Sequence, residues 1–411
     1  MPGPGYSFFG DEEERNLLDV IRRWRDTAGT FGIIEGESQI TLLGTELAEA
    51  FGVPYAIPVN CGTSALLTAL AALGIGPGDE VIVPGYMFVA SIGAIVAAGA
   101  IPVLAEIDES LTLDPDDVRA RITPRTRAIM TVHMLGAPSN MPVLAELARG
   151  HGLLLVEDVA QACGGSFQGR LLGTWGDAGA FSLGPYKVIT SGEGGFTLLR
   201  EARPFRRGFA FHDQGWMPHR DEAEPGELLF GLNLRIDEFS AAVGRAQLAK
   251  LDAILSHTRQ MKRALAKRIP SRDGLRRRLL HDPDGDCGTL LVYLFDQEQD
   301  ARSVAGQLGT SVLADSPKHY YAGIPELAAL AAEEGDNPAP FRPRLPSAYR
   351  DSYLPGALPQ TDAMLSRAIA LAVGVSDGYL GAGFGITPRS SEADIDSIAD
   401  RFCEVVNSVL G

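Results

Sequence analysis

The stretch EVIVPGYMFVASIGAIVAAGAIPVLAEI, residues 80–107, contains a strand–helix–strand pattern. Two short apolar runs, EVIVP at its start and IPVLAEI at its end, have the composition of buried strands. The Ala-rich segment between them has the periodicity and length of a helix. Because a helix that joins two strands places them in parallel, this stretch predicts a βαβ unit.

The same alternation extends outward in both directions, from about Tyr55 to Leu199. Further strand-like runs are AIMTVHM and LLLVEDV, and further helical stretches are TSALLTALAALG (63–74) and NMPVLAELARGHG (140–152). The pattern predicts an α/β fold with a mostly parallel central sheet covered by helices. Ligands of such sheets bind beyond the carboxyl ends of the strands, so the loops at those ends are the ones to inspect.

After about Asn233 the alternation of strand-like and helical segments stops. Residues 236–269 form one long amphipathic helical pattern, which is predicted to lead from a large domain (residues 1–250, whose first 15 or so residues could pack elsewhere) into a smaller α+β domain (residues 251–411). The smaller domain contains the strand-like TLLVYLF and a final helix with Ser390 or Ser391 as its N-cap. The Pro- and Gly-rich residues 325–360 between them read as irregular surface.

Charge and cysteine content exclude several classes of protein. The chain has 411 residues and a formal net charge of −16, which argues against binding to nucleic acid or to an anionic membrane. Its cysteines lie more than 100 residues apart and form no CxxC pair, so neither a zinc site nor a disulfide framework is expected: Cys61, Cys163, Cys287 and Cys403. No signal peptide and no membrane-spanning run is recognisable, and a cytoplasmic protein is predicted.

Small and hydroxyl-bearing residues follow the first predicted strand. In VNCGTSALL, residues Gly62, Thr63 and Ser64 stand where a helix begins, which is typical of a phosphate cradle. The simpler alternative is N-capping by Thr63 or Ser64. After the second strand, Phe88 or Tyr86 could cover a planar ligand or belong to the core.

Two further strand ends carry ionisable groups. In LLLVEDVAQACGG, Glu157 and Asp158 end a buried strand and need a partner, either a helix N-terminus or a cationic ring nitrogen. Gln161 lies about one helical turn later and could face the same side. In FSLGPYKVITSGEGGFTLL (181–199), Ser182 is followed by Lys187, whose amine would become nucleophilic if desolvated, although a solvated lysine is the commoner case.

Taken together, these residues supply an anion cradle, an aromatic cover, a buried acid and an amine on successive strand ends. Pyridoxal 5′-phosphate requires this set: a lysine for a Schiff base, a carboxylate that keeps its pyridinium protonated, and a phosphate site. The sequence therefore predicts this cofactor.

The same residues resemble the DegT/StrS family. GTSALLTALAALGIGPGDEVIVPGYMFVAS, VEDVAQACGGSFQGRLLGTWGDAGAFSL and KVITSGEGG are similar to the family's motifs, and the resemblance is clearest from residue 36 to residue 255. It implies a fold type I, pyridoxal-phosphate-dependent aminotransferase, active as a homodimer whose subunits share each active site.

The resemblance also implies a role for each site residue. Lys187 would bind the cofactor aldehyde and later carry protons, and Asp158 would pair with the pyridine nitrogen. The remaining cofactor contacts implied are Phe88 on the ring face, Gln161 near the phenolic oxygen, Gly62, Thr63, Ser64 and Ser182 at the phosphate, and Asn233 of the GLNLR segment at the phosphate of the neighbouring subunit.

The sequence specifies the substrate-contacting residues less closely than the cofactor-contacting ones. His319, Tyr320 and Tyr321 fall in a region where relatives place substrate contacts, and Arg235 and His212 are weaker candidates. His133 reads as a structural histidine. Two stretches depart from the family pattern: Gly184–Pro185 before the lysine, which has no assigned role, and residues 371–391.

The implied reaction moves an amino group from glutamate or glutamine to a keto-sugar, in the first place nucleotide-linked, or to a keto-cyclitol. Such reactions belong to amino-sugar and antibiotic (secondary-metabolite) biosynthesis. A pyridoxal-phosphate lyase, dehydratase or oxidase on the same scaffold and a non-catalytic family member are the alternatives. Lys187 argues against those relatives that become dehydratases by replacing the lysine with histidine.

Overall fold

A seven-stranded sheet organises the first part of the chain and confirms the predicted α/β fold. The structure is a computed structural model that describes residues 3–27, 38–218, 220–332 and 347–411. The strands up to residue 199 are β1 (Tyr55–Val59), β2 (Glu80–Pro84), β3 (Ile101–Ala105), β4 (Thr126–Val132), β5 (Leu154–Asp158), β6 (Ser166–Phe167), β7 (Arg170–Leu171), β8 (Ala178–Ser182) and β9 (Gly195–Leu199).

The large sheet has the strand order β1-β9-β8-β5-β4-β2-β3. Strand β9 runs antiparallel to β1 and β8, and the other neighbouring strands are parallel. The carboxyl ends of β4, β5 and β8 therefore meet at one edge of the sheet, which is the edge where a ligand site is expected.

Helices cover both faces of this sheet. The helices of the described residues are α1 (Asp11–Thr27), α2 (Gln39–Phe51), α3 (Gly62–Ala72), α4 (Val89–Ala97), α5 (Pro115–Arg121), α6 (Met141–His151), α7 (Ala202–His212), α8 (Glu238–Ala249), α9 (Leu251–Arg268), α10 (Glu298–Leu308), α11 (Pro325–Ala331), α12 (Pro359–Leu365) and α13 (Glu392–Leu410). Strand β2 illustrates the two layers, since Val81 and Val83 join one apolar core while Ile82 joins the other. Successive side chains of a strand point to opposite faces, so both faces of the sheet are buried.

The predicted βαβ unit of residues 80–107 is present as β2, α4 and β3. Ile82 of β2 is in parallel register with Val103 of β3. Residues 85–88 connect β2 to α4 at the carboxyl edge, which places Phe88, the N-cap residue of α4, at that edge.

A second, antiparallel sheet lies in the C-terminal part of the chain. It has the order β10-β11-β12, formed by β10 (Leu275–Arg277), β11 (Leu290–Phe295) and β12 (Ala368–Ala372). Helices α10 and α13 pack on it around Tyr293 and Phe402, which are fully buried. Ser391 is the N-cap of α13 and forms a capping box with Asp394.

The prediction of a single helix over residues 236–269 is wrong in one respect, because these residues form two helices. Helix α8 ends at Ala249 and α9 begins at Leu251, and Lys250 between them bonds to the carboxylate of Glu13. The predicted domain boundary at residue 250 coincides with this junction, and the division itself stays a prediction.

The prediction of irregular surface over residues 325–360 is also only partly right. Helix α11 begins with Pro325 at its first turn, and Tyr353 is buried with its hydroxyl donating to the carbonyl of Pro102 at 2.5 Å. Proline at the start of a helix needs no hydrogen-bond acceptor, so Pro325 starts a helix instead of preventing one. Residues 333–346 lie outside the described residues.

Within the described ranges, no helix is both long and apolar enough to cross a membrane. The same ranges contain no group of three or more side chains that could hold a metal ion. The four cysteines are all unpaired.

The buried carboxylate of Glu157 stabilises the loop that precedes β8. This carboxylate is fully buried and accepts backbone N–H groups of Gly173, Trp175 and Gly176 at 2.7–2.8 Å. It also faces Nε2 of His133 at 3.2 Å, while Nδ1 of His133 accepts the N–H of Ser139. These contacts agree with the structural role predicted for His133 and give Glu157 the partner that a buried acid needs.

We expect Glu157→Ala to lower the free energy of unfolding by about 3 kcal/mol or more, because several buried N–H groups lose their acceptor. Glu109→Ala is the matched control, since Glu109 is exposed and pairs with Arg276 at the surface, where such a pair contributes about 0–1 kcal/mol. Urea unfolding measures both. Equal losses in the two variants would contradict the structural role of Glu157.

Candidate active site

A cavity of about 260 Å³ opens at the carboxyl edge of the large sheet. It collects residues from β5, from the loop after β8, from the start of α3 and from the C-terminal part of the chain. The residues predicted for the site that line it are Gly62, Thr63, Phe88, Asp158, Gln161, Ser182, Lys187 and His319. Eight positions far apart in the sequence are thus brought to one place.

Asp158 ends β5 and is held on two sides. Its Oδ2 accepts the hydroxyl of Ser91 at 2.7 Å and its Oδ1 accepts the N–H of Ala160 at 3.0 Å. The residue is only 3% exposed. A carboxylate oriented by these donors and open to the cavity is placed to meet a cationic group of a ligand.

Lys187 lies in the loop between β8 and β9, where its N–H bonds to the carbonyl of Gly184 at 3.2 Å. Its Nζ is 6.0 Å from the centroid of the Phe88 ring. Burial lowers the pKa of Lys187 below its ordinary value, and the carboxylates of Asp158, Asp377 and Glu193 only partly oppose that shift. A buried amine of lowered pKa is the state required for nucleophilic and general-base chemistry.

Phe88 and His319 form an aromatic wall. Their ring centroids are 5.2 Å apart with an angle of 46° between the planes, and the N–H of Met87 bonds to the carbonyl of His319 at 2.9 Å. Burial, and then the charge of Lys187, lowers the pKa of His319 to about 3, so its ring is neutral at pH 7. The alternative aromatic, Tyr86, is fully buried in the core.

The helix start at residues 61–64 differs in detail from the prediction. Cys61 is the N-cap of α3, with its Sγ 3.4 Å from the N–H of Ser64, so neither Thr63 nor Ser64 caps the helix. The hydroxyl of Ser64 donates to Asn60 at 2.6 Å, and Ser64 does not line the cavity. The N–H groups of Gly62 and Thr63 nevertheless stand at the start of α3, where a helix can bind an anion.

Ser182 adds a hydroxyl beside this helix start. Its Oγ accepts the N–H of Gly184 at 3.2 Å, and a Cβ on Gly62 would lie 2.7 Å from the Cβ of Ser182. Glycine at position 62 therefore lets the start of α3 and the end of β8 approach closely, which concentrates donors in a small volume.

Gln161 is fixed through its carbonyl end. Its Oε1 accepts the N–H of Leu135 at 2.8 Å. Leu135 itself has a left-handed backbone with φ of 59°, a conformation that is uncommon outside glycine. Since the carbonyl is engaged, the NH₂ group of Gln161 is the end that can donate to a ligand.

Besides Ser64, three further predicted residues lie outside the cavity of their own chain. Tyr320 donates its hydroxyl to Asp362 at 2.7 Å, Arg235 pairs with Asp213, and Asn233 is exposed beside Asp213. Tyr321, predicted together with Tyr320, bonds to Asp362 at 3.2 Å. The weaker candidate His212 is buried against the carbonyl of Phe209 at 2.5 Å.

Some residues at the site were not found from the sequence: one that lies behind the cavity and two that line it. Ser91 holds Asp158, and Glu193 and Asp377 line the cavity near Lys187. Ser91 could have been noticed, because it is a hydroxyl in an apolar helix three residues after Phe88. Asp377 comes from the stretch that departs from the family pattern, and sequence alone gives no reason to bring it to this edge.

Comparison with known proteins identifies the family. Residues 21–376 match the model of the DegT/DnrJ/EryC1/StrS aminotransferase family. The chain belongs to this family.

Curated relatives match the chain over part of their length. An L-glutamine:2-deoxy-scyllo-inosose aminotransferase of Streptomyces kanamyceticus is 40% identical over 263 residues, which are 61% of this chain and 61% of that protein. A GDP-perosamine synthase of Caulobacter vibrioides is 39% identical over 248 residues, 60% of this chain and 64% of that protein. The chain thus spans less than two thirds of these relatives.

Solved structures match over nearly the whole chain. The structure of a 3-amino-5-hydroxybenzoic acid synthase has a TM-score of 0.76 at 26% identity and covers 97% of each chain. DesV of S. venezuelae has a TM-score of 0.75 at 27% identity and covers 96% of this chain and 94% of its own.

The DegT/DnrJ/EryC1/StrS aminotransferases use pyridoxal 5′-phosphate, and the cavity fits this group. It offers an amine for the aldehyde, a carboxylate for the ring nitrogen, an aromatic ring for the pyridine face and N–H and hydroxyl donors for the phosphate. The fit rests on chemistry supplied by Lys187, Asp158, Phe88, Gly62 and Ser182, which the fold brings into one volume.

The balance of charges at Lys187 gives a pH prediction. Asp377 raises the pKa of Lys187, so Asp377→Asn should let burial lower it further and shift the pH midpoint of Lys187 acylation downward. The measurement is the rate of modification by a small acylating reagent in cofactor-free protein, followed by peptide mass spectrometry. Asp315→Asn should leave the midpoint unchanged, because Asp315 does not line the cavity and pairs with Arg302 at the surface. An upward shift in Asp377→Asn would contradict the assignment.

Proposed function

We propose that this chain is a pyridoxal-phosphate-dependent aminotransferase that moves an amino group from glutamine or glutamate to a ketone on a polyhydroxylated ring. The observation that carries the proposal is the shared cavity in which the amine of Lys187 lies with the carboxylate of Asp158 and an anion cradle. The relatives named for inosose and perosamine amination support the ring class of the acceptor.

The cofactor, when bound, supplies an aldehyde that accepts amines and a protonated ring that acts as an electron sink. Nζ of Lys187 would hold that aldehyde and would be the base that takes the proton from the α carbon of the amino donor. Burial lowers the pKa of Lys187, which favours the neutral amine that a general base requires. Asp158, oriented by Ser91, holds the proton on the ring nitrogen.

We propose further that the acceptor is an uncharged keto-cyclitol and that a nucleotide-linked keto-sugar is the second candidate. Among the described residues that line the cavity, the charged side chains besides Lys187 and Asp158 are Glu193 and Asp377. An acidic wall repels a diphosphate group and accepts hydrogen bonds from ring hydroxyls. The same wall favours glutamine over glutamate as the donor.

Half-reactions test the reaction class. We expect L-glutamine to bleach the visible absorbance of the bound cofactor with one equivalent of keto product per site, and scyllo-inosose or 2-deoxy-scyllo-inosose to restore it. A lyase or oxidase would instead continue to turn over without a ketone.

The reverse reaction tests the choice of acceptor. GDP-perosamine, added as a reverse amino donor, should react far more slowly than the aminocyclitol products. Reaction of GDP-perosamine alone would reverse the order of the two acceptor candidates.

Lys187→Ala is the control for this chemistry. Loss of the base should reduce the half-reaction with L-glutamine by about 10²–10⁴-fold or more. Borohydride should fix cofactor to the wild-type chain and not to this variant. Absorbance that persists with every amino donor, or fixation in Lys187→Ala, would exclude the proposed chemistry.

A homodimer with shared active sites is part of the proposal. Asn233, which the family resemblance assigns to the phosphate of the neighbouring subunit, follows an exposed apolar segment in which Phe230 is 99% exposed and Leu228 and Leu232 are each 52% exposed. Trp216 beside them is 59% exposed. Contiguous exposed apolar side chains favour a protein interface.

A cytoplasmic location is likewise proposed, because four unpaired cysteines are typical of a reducing compartment.

Phe230→Asp should therefore convert the dimer to monomer at micromolar concentration and weaken cofactor retention, since Asn233 of the neighbouring subunit is withdrawn. Sedimentation velocity and cofactor titration measure the two effects. Val143→Asp, on the outer face of α6, should change neither. A monomeric wild-type protein, or an unchanged mass in Phe230→Asp, would contradict this interface.

A further inference from the structure

The N-terminal segment, residues 3–10, lies against the loop that carries Lys187. The N–H of Gly3 donates to the carbonyl of Pro185 at 2.8 Å. A Cβ on Gly3 would lie 2.6 Å from the backbone nitrogen of Lys187 and would also collide with its carbonyl oxygen. The segment thus contacts the peptide of the lysine itself.

The next residues extend this contact along the loop. A Cβ on Gly5 would lie 3.0 Å from the nitrogen of Thr190 and 3.1 Å from Cα of Ile189. Gly3 has φ of −74° and ψ of 176°, which any residue can adopt. Glycine at position 3 is therefore required by the closeness of the lysine loop and not by its own backbone angles.

The opposite side of the segment contacts the C-terminal part of the chain. Pro4 is buried, and a Cβ on Gly374 would lie 2.8 Å from its Cγ. Gly374 directly precedes Val375 and stands three residues before Asp377, both of which line the cavity. Residues 3–5 are consequently packed between the lysine loop and the cavity wall that the C-terminal part supplies.

A buried ionic network fixes the far end of the segment. Nζ of Lys250 bonds to the carbonyl of Phe8 at 3.0 Å and to Glu13 at 2.7 Å, and the amide of Gln247 donates to Glu13 at 2.8 Å. The other end of the Gln247 amide accepts the N–H of Thr190 at 3.3 Å. Burial alone would raise the pKa of Glu13, but the bonds from Lys250 and Gln247 outweigh it and lower that pKa. The network therefore links the segment back to the lysine loop.

We propose that the N-terminal segment is a positioning element for Lys187. It sets where the peptide of Lys187 lies relative to Asp158 and couples that position to the 374–377 wall of the cavity. This inference rests on the proposed function, since it assigns the segment to the lysine of that reaction. It also gives Gly184–Pro185 a role, because the carbonyl of Pro185 is the acceptor that receives Gly3.

Gly3→Ala tests the proposal, with Gly10→Ala as its matched control in the same segment. A Cβ on Gly10 would have its nearest neighbour 3.6 Å away, an ordinary contact. Because misplacing a reacting group by about 1 Å can cost 10²-fold in rate, we expect Gly3→Ala to reduce kcat by about 10–100-fold while KM for the donor changes less than about 2-fold. Gly10→Ala should retain the wild-type values.

Two readouts do not depend on turnover. In Gly3→Ala, backbone amides of residues 187–190 should exchange hydrogen at least 10-fold faster than in wild type. The pH midpoint of the visible absorbance of the bound cofactor should also shift. Gly5→Ala, which crowds Ile189 and Thr190, should reproduce both effects. It is the second test variant if Gly3→Ala does not fold.

The outcomes separate this inference from the proposed function. If wild type binds no cofactor, the proposed function fails while the exchange measurement still reports on the segment. If Gly3→Ala and Gly10→Ala match in exchange, absorbance midpoint and kcat, the positioning role is wrong. A fall in thermal stability shared equally by both variants, with unchanged absorbance midpoint, would likewise reduce the segment to a structural role and overturn the proposal.

Discussion

Two consecutive carboxylates at the end of β5 set the constraint on which the rest of the structure depends. Because neighbouring strand residues face opposite sides, Glu157 and Asp158 cannot share one partner. Glu157 turns to backbone N–H groups of residues 173–176 and to His133, while Asp158 turns to Ser91 and the cavity. Each buried carboxylate has hydrogen-bond partners on its own face of the sheet. The end of β5 therefore fixes the loop before β8 through Glu157 and supplies the cavity with a carboxylate through Asp158.

The neighbouring parts of the site follow from this arrangement. The loop fixed by Glu157 leads into β8, whose end places Ser182 against Gly62 and then releases the chain toward Lys187. The proposed phosphate site would use backbone N–H groups and a hydroxyl in place of cationic side chains. That choice suits a chain of net charge −16, because an oriented helix start can bind an anion without an added arginine.

The sequence was sufficient for the parts of the site that follow strand ends. Asp158, Lys187, Phe88 and Ser182 could be predicted because an apolar run fixes where each strand stops, and parallel strands end at a common edge. Tyr320 could not be placed in the same way. It lies on an irregular segment, and its hydroxyl turns to Asp362, a contact that depends on packing between distant parts of the chain.

The remaining unpredicted elements share that long-range origin. The N-terminal segment and Asp377 are separated from Lys187 by nearly two hundred residues in each direction, and neither carries a local pattern that points to the cavity. The break at Lys250 is of the same kind, since the helical periodicity continues through it. Lys250 departs from the expected single helix where it bonds to Glu13 and Phe8, a contact that no window of sequence around residue 250 contains.

Two of these distant elements, the N-terminal segment and Asp377, meet near Lys187. Three carboxylates raise its pKa and burial lowers it, and the net shift is downward because burial is the larger effect. Burial of the amine thus favours its neutral form. Residues 3–5 lie between the lysine loop and residues 374–377, so the segment that we propose to position the lysine backbone also contacts the wall that carries Asp377. On the proposal above, the position of Lys187 and the carboxylate of Asp377 that raises its pKa are linked through these contacts.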